Sequence, residues 1–355
     1  MIKVVKPNIS AEYPLPTIRK PIVIIGAGGV VRQAHLPAYS KAGFTINGIF
    51  DIQQNAACDT ASIWNIDTIY HSLRDAASAE NVIFDVAVPA DQILRIVRAL
   101  PDRSAVLIQK PLGRNIAEAR KIVALCKFKK LRAAVNFQLR FAPGVLAIKE
   151  YIRNGKLGEI VDIEVRVNTN TPWGQWEFLK GIPRLEILYH SVHYLDCIRS
   201  FLGEPRGVMA CVAGHPASRG YADVRSSILL HYEKNVRASI YTFHNHPAHS
   251  PHAASILKIE GTRGSALLTM GVNLQYPHGE PDALEMYINN RWTRAALPGS
   301  WFPDAFAGTM SNLQRFCSGE DRALRSDVND AAKTMALVEA CYISSRTDGT
   351  KIPNV

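Results

Sequence analysis

Ile22-Val23-Ile24-Ile25-Gly26-Ala27-Gly28-Gly29-Val30-Val31 decides how the first half of the chain folds. Four consecutive apolar residues, all β-branched, suit a strand of a buried parallel sheet, and the glycine turn after them opens an apolar helix. Gly26 permits the tight turn, and Gly28 lets backbone approach a pyrophosphate resting on the helix N-terminus, with Gly29 and Val30 completing the loop. The third fingerprint position is Val31, where Gly or Ala is usual. Asp51 ends the second apolar run, at the distance where a carboxylate holds the adenosine ribose hydroxyls. Ile52, Gln53 and Gln54 follow it, with no nearby arginine for a 2′-phosphate. NAD is therefore the expected cofactor, and NADP is disfavoured.

Working outward, Pro21 to Phe137 alternates short apolar runs with amphipathic stretches. Ile22–Ile25, Thr45–Phe50, Val82–Val88, Ala105–Ile108 and Ala133–Val135 are expected strands; Gln92–Leu100 and Asn115–Lys127 are expected helices. That rhythm predicts a parallel sheet with crossover helices. After Pro143 the pattern changes to longer alternating stretches: Glu159–Val167, Gly207–Val212, Ser226–Tyr232, Ala238–Phe243, Ser255–Glu260 and Ser265–Met270. These suit a mostly antiparallel sheet with one face covered. The expected architecture is an α/β Rossmann domain over 1–139, with 1–20 as a leader, followed by an α+β domain over 140–355 built on a large open-faced sheet. Arg19 and Lys20 before the first apolar run superficially resemble a signal peptide, but Pro7, Pro14, Pro16 and Pro21 and the internal glycine turn argue against it.

Composition agrees with two globular domains: 355 residues, 47% hydrophobic and 20% charged, values that disfavour a disordered or coiled-coil chain. No apolar run is long enough to predict a transmembrane helix. Cys58, Cys126, Cys197, Cys211, Cys317 and Cys341 are scattered without C-x-x-C spacing, as expected for free thiols in a reducing cytoplasm. The net charge of +10 is dispersed; its tightest cluster, Lys127, Lys129, Lys130 and Arg132, suits a solvated helix end, so neither nucleic acid nor membrane is expected as a partner.

Chemistry is carried by a few positions. Gln109-Lys110-Pro111 follows an expected strand and so lies at the carboxyl edge of the sheet, where a lysine can polarise a substrate hydroxyl. A helix is expected over Leu185–Leu202, stopped by Gly203, with Leu188, Val192, Leu195, Ile198 and Leu202 as its core stripe. Tyr189, His193 and Asp196 then share the neighbouring face, and Glu186, two turns before His193, offers a carboxylate to it. Trp173 and Trp176 offer aromatic faces suited to a sugar ring, and Arg184 could anchor an acidic group. His244, His246, His249 and His252 crowd a loop with Pro247 and Pro251; with no carboxylate or thiol among them, a loop wall is expected and no metal. A last helix is expected after Ser326 as N-cap, with Gly349 closing it.

The fingerprint, the Lys-Pro turn, Asn136-Phe137-Gln138-Leu139-Arg140-Phe141-Ala142-Pro143, His193-Tyr194-Leu195-Asp196, Gly155-Lys156-Leu157-Gly158 and Glu260-Gly261-Thr262-Arg263-Gly264 resemble the Gfo/Idh/MocA oxidoreductases over nearly the whole chain. The resemblance implies an NAD-dependent oxidoreductase acting on a secondary alcohol of a sugar, cyclitol or derivative, assembled as a homodimer or homotetramer through its C-terminal sheet. It implies Lys110 and His193 as catalytic residues, with Tyr189 where the family's D-x-x-x-H motif has aspartate and Gln109 where glutamate precedes the lysine. It also implies Pro89 and Gln109 beside the cofactor, and Gln138, Arg140 and Asp196 beside the substrate. Gln92 stands where a histidine commonly follows the Pro89 turn. An NAD-sensing regulatory protein and an NAD-assisted lyase or glycosidase are the rival expectations.

Overall fold

The computed structural model describes residues 3–5, 11–233, 235–276, 279–347 and 349–353. Its elements fall into two units, neither of which is one continuous segment. The first runs to Ala147 and takes in Leu297–Met335; the second holds Ile148–Ala296, the chain from Ala336, and the first strand, β1 (Lys3–Val5).

In the first unit, β2 (Ile22–Ile25), β3 (Ile46–Phe50), β4 (Ile83–Val86), β5 (Ala105–Ile108) and β6 (Arg132–Val135) form an all-parallel sheet in the order β3-β2-β4-β5-β6. All four residues of β2, β4 and β5 are buried, which is why these segments lack polar alternation. The crossovers are α1 (Leu36–Ala42), α2 (Gln54–Trp64), α3 (Leu73–Ala77), α4 (Ile93–Ala99) and α5 (Ile116–Phe128). Asn115 caps α5 by accepting the Glu118 N–H at 2.9 Å. Lys129 of the basic cluster, just past the end of α5, pairs with Asp102 at 2.8 Å.

The second unit carries α6 (Pro143–Arg153) from Ile148 onward, followed by β7 (Ile160–Asn168), α7 (Val192–Leu202), β8 (Gly207–Ala213), β9 (Arg225–His231), β10 (Arg237–Phe243), β11 (Ala254–Gly261), β12 (Gly264–Thr269), β13 (Ala283–Ile288) and β14 (Arg291–Ala295). With β1 they make a nine-stranded sheet, β1-β14-β13-β12-β11-β7-β10-β9-β8, antiparallel except at β1–β14 and β7–β10. Along β9, β10 and β11 burial alternates residue by residue, so one face is covered and the other open. The open face bears the pairs Arg237–Asp162 and Lys258–Glu260, and Met209 on β8 and Tyr241 on β10 are exposed.

Several expectations need correction. The boundary expected at 139/140 lies at Ala147/Ile148, because the chain returns: Phe306, Met310 and Leu313 of α8 (Ala305–Ser318) pack in the same core as Ile22, Ile24, Ile49 and Ile83. The expected leader contributes β1 to the far sheet, paired with β14 through Lys3↔Thr293, Val4↔Arg294 and Val5↔Ala295; Pro7 lies outside the described residues. In the last helix, α9 (Val328–Ser344), Asp327 rather than Ser326 caps the start, accepting the Asn329 and Asp330 N–H groups at 2.7 and 3.3 Å. A carboxylate one residue nearer the helix outcompetes the serine hydroxyl. Gly349 lies beyond the end of α9 at Ser344 and does not cap it. Among the described residues, no helix is long and apolar enough to cross a membrane.

Candidate active site

The parallel register of the first sheet brings the strand ends to one edge. There the Gly26 N–H donates to the Phe50 carbonyl, Ala87 N–H to Ile25, Gln109 N–H to Val86 and Asn136 N–H to Ile108, at 2.7 to 2.8 Å. The turn between β2 and the following helix therefore sits at the point where strand order reverses, flanked by β3 and β4. Gly26 has φ +115°, and a Cβ there would stand 2.2 Å from the Ala87 carbonyl oxygen, so no other residue fits this close approach. At Gly28 a Cβ would meet nothing within 4 Å, leaving open space over the loop that suits a pyrophosphate. Asp51 is held at the same edge, accepting the Ala27 N–H at 2.7 Å and the Gln53 N–H at 2.8 Å. Pro89, Gln109 and Lys110 lie at this edge too, after β4 and β5, so the structure gathers all the cofactor-side positions expected from the sequence.

Behind them is a buried polar chain that the sequence reading missed. The Lys110 N–H donates to Gln109 Oε1 at 2.8 Å, which orients the amide so that Gln109 Nε2 donates to His35 Nε2 at 3.0 Å. The His35 proton is then on Nδ1, which faces Asp85 Oδ2 at 2.6 Å; the Tyr39 hydroxyl donates to the same oxygen at 2.8 Å. His35 reaches this position because the fingerprint loop leads into a π-helical turn, Val31–His35, before α1 begins. The available signal was Asp85 itself, a charge in the middle of an apolar parallel strand. Burial pushes the Lys110 ammonium down to about 8 from the ordinary lysine value of 10.5.

Gln138 and Arg140 are buried in a 3-10 turn after β6. Arg140 is engaged by the chain itself, 2.6 Å from Asp330 and donating at 2.7 Å to the Arg325 carbonyl. These contacts make a bracket that holds the returning segment.

In the second unit, His193 and Asp196 are buried on α7 and Tyr189 is half-buried. The preceding turn, Ile187–Ser191, is π-helical, and its i→i+5 spacing rotates the residues before it out of the register assumed for a regular helix. Glu186 consequently does not serve His193. Its fully buried carboxylate accepts the Ser191 hydroxyl at 2.8 Å and lies 3.3 Å from His244 Nε2 and 3.5 Å from His190 Nδ1. Burial raises its pKa, but the two imidazoles outweigh that effect and hold it well below the usual carboxylate range. Tyr189 packs its ring 6.0 Å from that of Phe178. Asp196, almost wholly buried, faces Arg199 at 3.9 Å.

Trp173 and Trp176 meet at 6.2 Å between ring centroids, Trp173 standing 5.0 Å from His244 and Trp176 5.2 Å from Tyr276. Arg184, expected as an anchor for an acidic group, forks onto both oxygens of Glu339 at 2.8 Å and lies over the Tyr342 ring. Of the four loop histidines, His246 meets Ser250, His249 and His252 are exposed, and His244 alone turns inward.

The sequence profile of the oxidoreductase family with an NAD-binding Rossmann fold matches residues 20–137, and that of the GFO/IDH/MocA C-terminal domain matches residues 145–267. D-apiose dehydrogenase of Paraburkholderia graminis is 24% identical over 355 residues, covering 92% of this chain and 88% of its own. Among solved structures, an oxidoreductase from Agrobacterium radiobacter in complex with NAD+, L-tartaric acid and magnesium superposes with a TM-score of 0.75 at 20% identity, covering 93% of this chain and 97% of that one. Aldose-aldose oxidoreductase from Caulobacter crescentus, complexed with glycerol, gives 0.76 at 16% identity, covering 93% and 98%. These two superpositions establish the fold. Because the profiles for both halves of the family match consecutive segments of the sequence, the chain belongs to the GFO/IDH/MocA oxidoreductases, NAD-dependent enzymes whose dinucleotide sits on a Rossmann domain.

Proposed function

We propose that this oxidoreductase acts on a secondary alcohol of a sugar, cyclitol or closely related polyol, with Lys110 polarising the reacting hydroxyl and His193 accepting its proton. NAD, when bound, supplies the two-electron acceptor. Lys110 carries the reading. It is the lysine at the carboxyl edge of β5, and burial lowers its pKa to about 8, which makes its ammonium a stronger hydrogen-bond donor to a substrate oxygen. Gln109 holds the backbone on which it sits. Tyr189 orients substrate or His193 without carrying the proton, and Gln138, Trp173 and Trp176 are the substrate-side residues in this reading. The sugar class is supported by the name of the relative that spans most of the chain, a D-apiose dehydrogenase.

The open face of the nine-stranded sheet supports a homodimer or homotetramer built through it, checked by light scattering of the purified chain. Six free thiols support a cytoplasmic setting. The functional test follows absorbance of the reduced cofactor over a panel of sugars, cyclitols and uronates. Stoichiometric NAD reduction by one class of polyol is the expected result. Cofactor bound without any net reduction across the panel would overturn the reading in favour of a sensor or a redox-neutral lyase.

A further inference from the structure

Glu186, His190 and His244 lie within the second unit, and one ligand atom from each falls within 4.8 Å of the other two. The carboxylate is fully buried, yet no lysine or arginine among the described residues makes an ion pair or hydrogen bond with it. Among the described residues, its shortest side-chain contact is the Ser191 hydroxyl, at 2.8 and 3.0 Å to the two oxygens. The imidazoles stand off: His244 Nε2 at 3.3 Å, and His190 Nδ1 at 3.5 Å, a nitrogen that is itself buried and makes no hydrogen bond. Separations of 3.3 and 3.5 Å nevertheless match the edge of a tetrahedron of donors around an ion with bonds of 2.0–2.1 Å, about 3.3 Å.

The surroundings are those of a ligand set. His244 Nδ1 lies 2.6 Å from the Thr171 hydroxyl, a contact that leaves Nε2 directed at the Glu186 carboxylate, and Ser191 orients that carboxylate. Trp173 covers the cluster, its ring centroid 5.0 Å from that of His244 and 6.4 Å from that of His190. His190 is the least buried of the three. We infer that Glu186, His190 and His244 bind a divalent transition-metal ion of the zinc class, with water completing a two-histidine, one-glutamate coordination. The donors come from the turn before α7 and from the residue after β10, so the ion ties these two elements together. The inference involves neither Lys110 nor the nicotinamide cofactor, and it stands or falls separately from the proposed function.

The test uses the full chain, stripped with a chelator, equilibrated with zinc, freed of excess ion and assayed for bound metal. A background carrying Cys58→Ser and Cys211→Ser removes the two exposed thiols as competing ligands. One zinc ion per chain is expected in that background, and cobalt in its place should give the strong visible bands of a four-coordinate nitrogen and oxygen site. His190→Ala, at the most accessible ligand, should lose both the ion and the bands while keeping the far-ultraviolet spectrum of the folded protein. Glu186→Gln should do the same, and Thr171→Val should weaken zinc by about 10- to 100-fold through His244. His246→Ala should change nothing. No stoichiometric zinc in the parent, or one ion retained in both His190→Ala and Glu186→Gln, overturns the inference.

Discussion

His35 Nδ1 and Asp85 Oδ2 stand 2.6 Å apart with neither side chain exposed to solvent, a buried imidazole–carboxylate contact within the first unit. Removing one partner leaves the other buried with only its remaining contact, the Tyr39 hydroxyl for Asp85 and the Gln109 amide for His35. Asp85→Ala and His35→Ala should each destabilise the fold by about 3–5 kcal/mol in denaturant titrations. The double variant should lose less than the sum of the two, because the second removal no longer strands a polar group. Strict additivity would show that the contact contributes nothing as a pair.

Lys110 gives a pH signature. Its ammonium, lowered to about 8 by burial, polarises the substrate hydroxyl only while protonated, so kcat/KM for alcohol oxidation should fall as pH rises through about 8. Lys110→Arg stays charged and should lose that alkaline limb while turning over more slowly. The same shift bears on stability. Between about 8 and 10.5 the unfolded chain binds more protons at this residue than the folded one, so its contribution to stability rises with pH across that window. An unchanged alkaline limb in Lys110→Arg assigns the ionisation to another group.

Asp51 should set cofactor choice. Its carboxylate is fixed by two backbone N–H groups at the edge of the fingerprint loop, where a 2′-phosphate would be repelled. NAD should bind more tightly than NADP by about 1–3 kcal/mol, the scale of a charged hydrogen bond. Asp51→Ala should narrow the difference, mainly by weakening NAD. Fluorescence titration of both cofactors against both proteins measures it.

His193 and Tyr189 separate acid–base work from orientation. His193→Ala should lower kcat by about 10²–10⁴-fold, the usual scale of a lost proton acceptor. Tyr189→Phe should cost about tenfold or less, since the ring keeps its packing against Phe178. The reverse ranking would make Tyr189 the proton carrier.

Arg184 tests a structural role against a substrate role. Arg184→Ala removes a two-pronged pair with Glu339 and the packing over Tyr342, and should lower stability by about 1–3 kcal/mol. KM should stay within about twofold of the parent value. A large rise in KM with stability preserved would return Arg184 to the ligand.

The sequence by itself determined the features that depend on neighbours along the chain. Short apolar runs separated by amphipathic stretches specified β2 to β6 with the crossover helices α4 and α5, alternation specified β7 to β12, and the fingerprint with Asp51 and Lys110 specified one sheet edge, while α2 and α3 were left unspecified. Side-chain periodicity and turn chemistry act over a few residues, so they are legible one segment at a time. Only the tertiary structure decided the contacts between distant segments. Nothing local says that Phe306, Met310 and Leu313 return to the first core, that Lys3–Val5 pair with β14, or that Gln109 orients His35 toward Asp85. The π-helical turn at Ile187–Ser191 is the sharpest case. It changes which side chains face one another, so Glu186 meets His190 and a His244 fifty-eight residues away instead of His193. One extra residue in a turn rotates everything before it, and which rotation wins is settled by the buried partners it brings together.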